Sequence, residues 1–163
     1  MKNITMKNYI PEIDGLRGVA ILLVFLYHLD VELISHGYLG VDIFFVISGY
    51  LIARIILKEL TVTNNFMFLN FIYRRFKRLY PSLTLTLLLT LAASSLTSPL
   101  KYSQEVAKAS LFATFGISNF FFSTKMNYFE KYFAKNPLLN TWSLGVEEQF
   151  YLFFPVLIYI FYR

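Results

Sequence analysis

Hydrophobic residues occur in long blocks that are separated by short charged segments. Five such blocks can be marked along the chain, at about 11–34, 39–57, 79–97, 106–122 and 150–163. Because a helix needs about 20 residues to cross a bilayer, the block at 79–97 is the clearest predicted span. The block at 150–163 is too short to span by itself. Gly116 and Asn119 interrupt the fourth block, which predicts a broken or re-entrant element.

The composition supports a membrane protein. The chain of 163 residues is 56% hydrophobic and only 15% charged, whereas soluble domains carry about 25% charged residues. We therefore predict an all-α, multi-pass transmembrane helical bundle with about five visible spans. The first block holds Asp14 and Arg17 and is followed by further blocks, so it is not a secretory signal peptide. The absence of cysteine excludes disulfides and thiolate chemistry.

The basic residues are placed asymmetrically. Lys2 and Lys7 precede the first block, and the stretch 54–78 holds many further cations, whereas the connection 29–42 holds three acids and no Lys or Arg. Positive charge favours the cytoplasmic side of membrane proteins. This predicts a cytoplasmic N-terminus, a cytoplasmic 58–78 loop and an external 30–40 loop. The net charge of +5 is explained by orientation, and we expect no nucleic-acid partner.

The first apolar block carries ionisable residues along one face. Arg17 and His28 are eleven positions apart, so on a helix they return to within about 20° of one face, about 16 Å apart along the axis. Asp14 lies three residues before Arg17, within side-chain reach. Ionisable groups inside a membrane usually have a function. On this helix we expect the imidazole of His28 to lie deep in the bilayer. The structural alternative is that Arg17 reaches lipid phosphates and His28 makes a helix contact.

A basic segment precedes the third block. Arg75 and Arg78 are three residues apart, beside Arg74, so they can point the same way and clamp one anionic group, and guanidinium suits phosphate. Pro81 fits the first turn of the helix that follows. The alternative is an anchor on anionic lipid headgroups.

The stretch 140–155 places two acids beside an apolar run. Ser143 is a plausible N-cap for the helix that follows, with Glu147 and Glu148 near the helix start. A carboxylate here could orient a histidine or bind a sugar hydroxyl, and Asp42 is a weaker candidate for the same work. No phosphate-binding glycine loop or GxSxG motif is present, and we expect no metal site.

Four stretches together resemble the acyltransferase 3 family, which comprises multi-pass bacterial membrane proteins that O-acylate cell-surface carbohydrates. The stretches occur in the family's order and spacing, and the resemblance runs along almost the whole chain from Ile10 onward. They are IDGLRGVAILLVFLYH, GYLGVDIFFVISGYLIARII, FIYRRFKRLYPSL and NPLLNTWSLGVEEQFYLFFP.

The resemblance implies roles for individual residues. The family's Arg-x10-His motif falls on Arg17 and His28, its Arg-x-x-Arg motif on Arg75 and Arg78, and its acidic position on Glu147. By resemblance, acetyl-CoA or another acyl-CoA supplies the acyl group from the cytoplasm. The acceptor is a hydroxyl of a polysaccharide, lipopolysaccharide or peptidoglycan outside the bacterial cytoplasmic membrane. Whether His28 is a general base or an acyl carrier stays open, and Asp14 is a possible charge-balancing partner.

The resemblance also sets the expected domain organisation. Residues 1–9 form a cytoplasmic tail, and 10–163 form the N-terminal part of a domain that has about ten spans in the family. Some relatives also append a soluble transferase domain. Two other functions fit the same residues: a small transporter or channel subunit with a charge-lined path, and an inactive fragment or assembly partner.

Overall fold

The computed structural model describes residues 10–29, 31–126 and 136–162. Within these ranges the chain forms six α-helices and a 3₁₀ turn at Glu32–Ile34, and it contains no β-strand. This confirms the predicted helical fold, whereas the predicted tail 1–9 lies outside the described residues. The helices are α1 (Pro11–His28), α2 (Leu39–Thr63), α3 (Phe68–Thr97), α4 (Leu100–Thr114), α5 (Ser118–Met126) and α6 (Thr141–Tyr162).

Three of the described helices, α2, α3 and α6, are long and apolar enough to cross a membrane. Many of their large side chains are exposed, such as Leu88 at 60% and Leu89 at 63% on α3. Exposed apolar side chains on long helices suit contact with lipid. Length and composition therefore agree with a helical membrane protein, but the predicted number of about five spans is not confirmed.

Helix α3 begins eleven residues before the predicted start of the third span. The basic segment before Leu79, predicted as a loop, is helical from Phe68 onward, and Pro81 lies inside the 30-residue helix rather than in its first turn. Proline removes one backbone hydrogen bond, and membrane helices tolerate this because neighbouring groups satisfy the freed carbonyl. The prediction for Pro81 was therefore wrong.

Two other helix boundaries also differ from the sequence predictions. Helix α6 begins at Thr141, so Ser143 lies inside its first turn, where its hydroxyl donates to the Asn140 carbonyl at 3.0 Å. Ser143 is therefore not the N-cap. With its start at Thr141, α6 is also long enough to span a membrane. Helix α1 ends at His28 rather than at residue 34, so the imidazole lies at the helix end rather than in mid-span.

The fourth apolar block is interrupted, as the sequence predicted. Helix α4 ends at Thr114 and α5 begins at Ser118. Between them Gly116 adopts a φ of 66°, in the left-handed region that residues with a side chain rarely enter. The glycine therefore allows the turn that separates the two short helices.

The chain divides into two compact units, Met1–Arg54 and Ile55–Arg163. In the first unit, α1 packs closely against the chain that leads into α2. A side chain at Gly37 would meet the Leu23 carbonyl oxygen, and one at Gly40 would meet the Ala20 carbonyl oxygen. Small residues let helices approach this closely in membranes.

The second unit contains an apolar core between α3, α4, α5 and the segment before α6. Ser103 of α4 donates its hydroxyl hydrogen to the Ser94 carbonyl of α3 at 2.8 Å, which fastens the two helices near the short connection that joins them. The core consists of Leu83, Leu87, Val106, Ala109, Ala113, Phe121, Phe122 and Leu138.

Candidate functional site

A pocket of about 130 Å³ lies within the second unit, between α3, the turn after α4 and α6. Its volume is close to that of a cavity that holds benzene, so it suits one small group rather than a whole nucleotide. Most of the lining side chains are apolar, and the polar ones come from α3 and α6. The lining residues are Ile72, Arg75, Phe76, Leu79, Tyr80, Phe115, Gly116, Ile117, Glu148, Gln149, Tyr151 and Leu152.

Two aromatic rings position the cation of this pocket. The guanidinium carbon of Arg75 lies 5.4 Å from the centre of the Phe71 ring and 5.3 Å from that of Tyr151. A guanidinium within about 6 Å of a ring centre is attracted to its π face. The phenol of Tyr151 in turn donates to the Glu147 carboxylate one helical turn earlier. Arg75 is thus held by α3 and α6 together.

The Glu148 carboxylate is the acidic group of the pocket. Its Oε1 is buried and has no hydrogen-bond partner within the described part of the chain, although buried polar atoms are usually paired. Its Oε2 occupies the space that a side chain on Gly116 would need. The pocket is therefore lined by a carboxylate that has one unpaired oxygen and by the cation of Arg75.

Polar side chains fix the turn that forms one wall of the pocket. The Gln149 amide donates to the Gly116 carbonyl at 3.0 Å and exchanges hydrogen bonds with the Asn119 amide at 2.9 and 3.2 Å. From the other side, the Tyr80 hydroxyl donates to the Thr114 carbonyl at 2.8 Å. These bonds tie α3 and α6 to the break between α4 and α5.

Helix α1, in the first unit, carries the predicted Arg17 and His28. The helix is continuous between them, so the predicted alignment on one face holds, and Arg17 pairs with Asp14 at 3.4 Å. The His28 Nδ1 lies 2.7 Å from the Val24 carbonyl oxygen. Because a carbonyl only accepts, Nδ1 carries the hydrogen, and in the neutral ring Nε2 is the atom able to accept a proton.

The other predicted site residues are dispersed. Arg74 pairs with Glu59 at 3.9 Å, and Arg78 is exposed. Asp42 is exposed in the first turn of α2, where the helix dipole favours an acid. Of the predicted residues, the pocket includes Arg75 alone.

Sequence analysis did not single out Tyr80 and Gln149 as pocket residues, and it preferred Glu147 to Glu148. Local spacing does not choose between the two glutamates. Glu148 lies on one helix face with Tyr151 and Leu152, and Glu147 shares the same i, i+3, i+4 spacing with Phe150 and Tyr151. Which of these faces contacts α3 depends on tertiary packing and could not be inferred from the sequence.

The chain matches the acyltransferase 3 family model, described as an acyltransferase domain, over residues 10–163. It is 43% identical over 151 residues to a Staphylococcus aureus (strain COL) protein named "Putative O-acetyltransferase". It is 40% identical over the same length to the O-acetyltransferase OatA of Staphylococcus aureus (strain NCTC 8325 / PS 47). Each alignment covers 92% of this chain and 25% of the relative, so the chain spans about a quarter of these relatives' length. No solved structure matches it.

Proposed function

The chain belongs to the acyltransferase 3 family, and on that premise we propose that it is part of a membrane-bound O-acyltransferase. The enzyme moves an acyl group, most simply acetyl, from cytoplasmic acyl-CoA to a hydroxyl of a cell-surface polysaccharide, lipopolysaccharide or peptidoglycan. The observation that supports this proposal best is the pocket that Arg75 and Glu148 both line, between α3 and α6.

The pocket suits the acyl end of the donor. Its apolar lining matches an acyl group and the adjoining arm of the coenzyme, and its volume of about 130 Å³ excludes the nucleotide. The Arg75 guanidinium lies at the pocket wall, where it can bind a phosphate. In this proposal Arg78, exposed one turn further along α3, binds the phosphates that remain outside.

His28 supplies the base in the proposed reaction. The lone pair on its Nε2 takes the proton of the acceptor hydroxyl while the hydroxyl oxygen attacks the thioester carbonyl. The C–S bond then breaks, and the coenzyme thiolate leaves and recovers the proton. In the covalent version the acyl group passes first to Nε2 and then to the acceptor. Arg17 assists in holding the phosphates of the coenzyme at the cytoplasmic end of α1, and Glu147 balances charge in either version.

The test uses the full-length protein that contains this segment, expressed in a host that lacks the gene. His28→Ala and Arg75→Ala should each abolish most of the base-labile acetate on the surface glycan, with protein levels in the membrane unchanged. Lys77→Ala removes a charge from the same basic segment at an exposed position and serves as the matched control. Full acetylation with His28→Ala would refute the assignment of the base, and no acetate with the intact gene would refute the activity.

A further inference from the structure

Four aromatic rings form a chain of contacts at the end of α1 and in the connection that follows it. Tyr27 meets His28 edge-on with ring centres 5.5 Å apart, and Tyr27 meets Tyr38 in the same way at 5.8 Å. The ring of His36 stacks on Tyr38 at 5.9 Å. We call these four residues the aromatic cluster. It joins the predicted base, His28, to rings that the proposed chemistry does not use.

The aromatic cluster is exposed but firmly held. Tyr27 is 38% exposed and Tyr38 is 49% exposed, and both histidines are exposed as well. Gly37 lies between His36 and Tyr38 in the chain and is itself buried, because the backbone there packs on the Leu23 carbonyl and on Tyr27. The rings therefore stay in position without being covered by other described side chains.

Polar atoms border these rings. The Ser35 hydroxyl lies 2.9 Å from Nδ1 of His36, and two phenol hydroxyls and two imidazoles offer further donors and acceptors. A sugar ring needs this combination, because its C–H groups pack on the electron-rich ring face while its hydroxyls form hydrogen bonds. The connection 29–42 also lacks Lys and Arg, which suits the external side of the membrane.

We propose that the aromatic cluster is the acceptor subsite of the enzyme and that it binds a pyranose unit of the surface glycan. The reaction it serves is the proposed function above. Tyr38 is separated from His28 by Tyr27 alone in the chain of ring contacts. A sugar stacked on Tyr38 thus directs the neighbouring unit of the glycan, with its hydroxyl, towards Nε2 of His28.

A membrane-interface belt is the other role that exposed tyrosines take. In such a belt the rings contact headgroups one by one, and removal of one ring alters stability in the membrane rather than affinity for a sugar. Acceptor kinetics therefore separate the two roles.

The experiment uses the full-length protein in detergent with acetyl-CoA and a soluble oligosaccharide cut from the host's own surface glycan. For Tyr38→Ala the KM for the oligosaccharide should rise about fivefold to tenfold, whereas kcat and the KM for acetyl-CoA stay within about twofold. Tyr38→Phe keeps the stacking face and loses only the hydroxyl, so its KM for the oligosaccharide should lie between those of wild type and Tyr38→Ala. Tyr50→Ala removes an exposed tyrosine of the same unit outside the cluster and is the control.

An unchanged acceptor KM in Tyr38→Ala would overturn the subsite, and so would a loss confined to kcat. Binding of the oligosaccharide, followed by saturation-transfer NMR on the wild type and on Tyr38→Ala, gives a readout that needs no turnover. If the wild type transfers no acetyl group yet binds the oligosaccharide through Tyr38, the proposed function fails and the subsite stands. If the wild type is active and binding does not depend on Tyr38, the subsite alone fails.

Discussion

The guanidinium carbon of Arg75 lies 5.3 Å from the centre of the Tyr151 ring, so a cation of α3 is held by an aromatic ring of α6. Tyr151 is buried and is anchored in turn by Glu147. The two motifs that carry these residues are separated by more than seventy positions in the chain. Their contact makes the shape of the pocket depend on the packing of the two helices.

Tyr151→Leu tests this contact through donor binding. A cation–π contact contributes about 0.5–2 kcal/mol, so the Kd for acetyl-CoA should rise by about two- to thirtyfold when the ring is lost. Tyr151→Phe keeps the ring and should remain within about threefold of wild type. The measurement is isothermal titration with the full-length protein in detergent. Tyr162→Leu, an exposed tyrosine on the same helix, is the control, and an equal loss there would contradict a specific role for Tyr151.

Gly116→Ala should destabilise the turn between α4 and α5. A side chain in the left-handed region costs about 1–3 kcal/mol, and the new methyl group would also displace the Glu148 carboxylate. We expect the free energy of unfolding in detergent to fall by at least that amount. In a Glu148→Ala background only the backbone strain remains, so the cost of Gly116→Ala should be smaller there. Equal costs in both backgrounds would show that Glu148 does not occupy the space beside Gly116.

The amide pair of Asn119 and Gln149 should show energetic coupling. Each residue hydrogen-bonds to the other, and interhelical polar contacts in membrane proteins contribute about 0.6 kcal/mol on average. A double-mutant cycle with Asn119→Ala and Gln149→Ala, read by unfolding in detergent, should therefore give a coupling of about that size or more. Asn119→Ala combined with Ser103→Ala, which share no hydrogen bond, should be additive.

Gly40→Ala should weaken the packing of α1 on the start of α2. The added carbon would lie 2.5 Å from the Ala20 carbonyl oxygen, and backbone cannot yield as a flexible side chain does. Overpacking of this kind costs about 1–3 kcal/mol, measurable as a lower unfolding midpoint. Gly18→Ala is the control because nothing lies within 4 Å of its added carbon, and it should be neutral or slightly stabilising. Equal effects at both positions would contradict a close approach at Gly40.

Sequence analysis located the helices better than their ends. The break at Gly116 was predictable because a glycine followed by Asn119 interrupts an apolar block. The start of α3 was missed because Arg74, Arg75, Lys77 and Arg78 suggested a loop. Arginine and lysine are good helix formers. A cluster of these residues therefore indicates a position outside the hydrocarbon core of the membrane, but it does not indicate a loop.

The candidate site was predictable only in part. Arg75 was identified from its residue type and spacing, but nothing in the local sequence distinguishes Glu148 from Glu147. Neighbouring helix positions point about 100° apart, so one glutamate faces the pocket and the other bonds to Tyr151. Which glutamate faces the pocket depends on how α6 is rotated against α3. The functional roles of all the predicted site residues stay predictions, and these residues are Asp14, Arg17, His28, Asp42, Arg74, Arg75, Arg78 and Glu147.

The length of α3 has a consequence for the depth at which its cations lie in a membrane. Its thirty residues form a helix about 45 Å long, whereas the hydrocarbon layer of a bilayer is about 30 Å thick. The uncharged portion from Leu79 onward can fill that layer, which leaves the turns that bear Arg75 at headgroup level. Helix α3 is thus held in lipid along its apolar part and ends in a charged part that stays hydrated, so its cations resist any shift of the helix deeper into the bilayer.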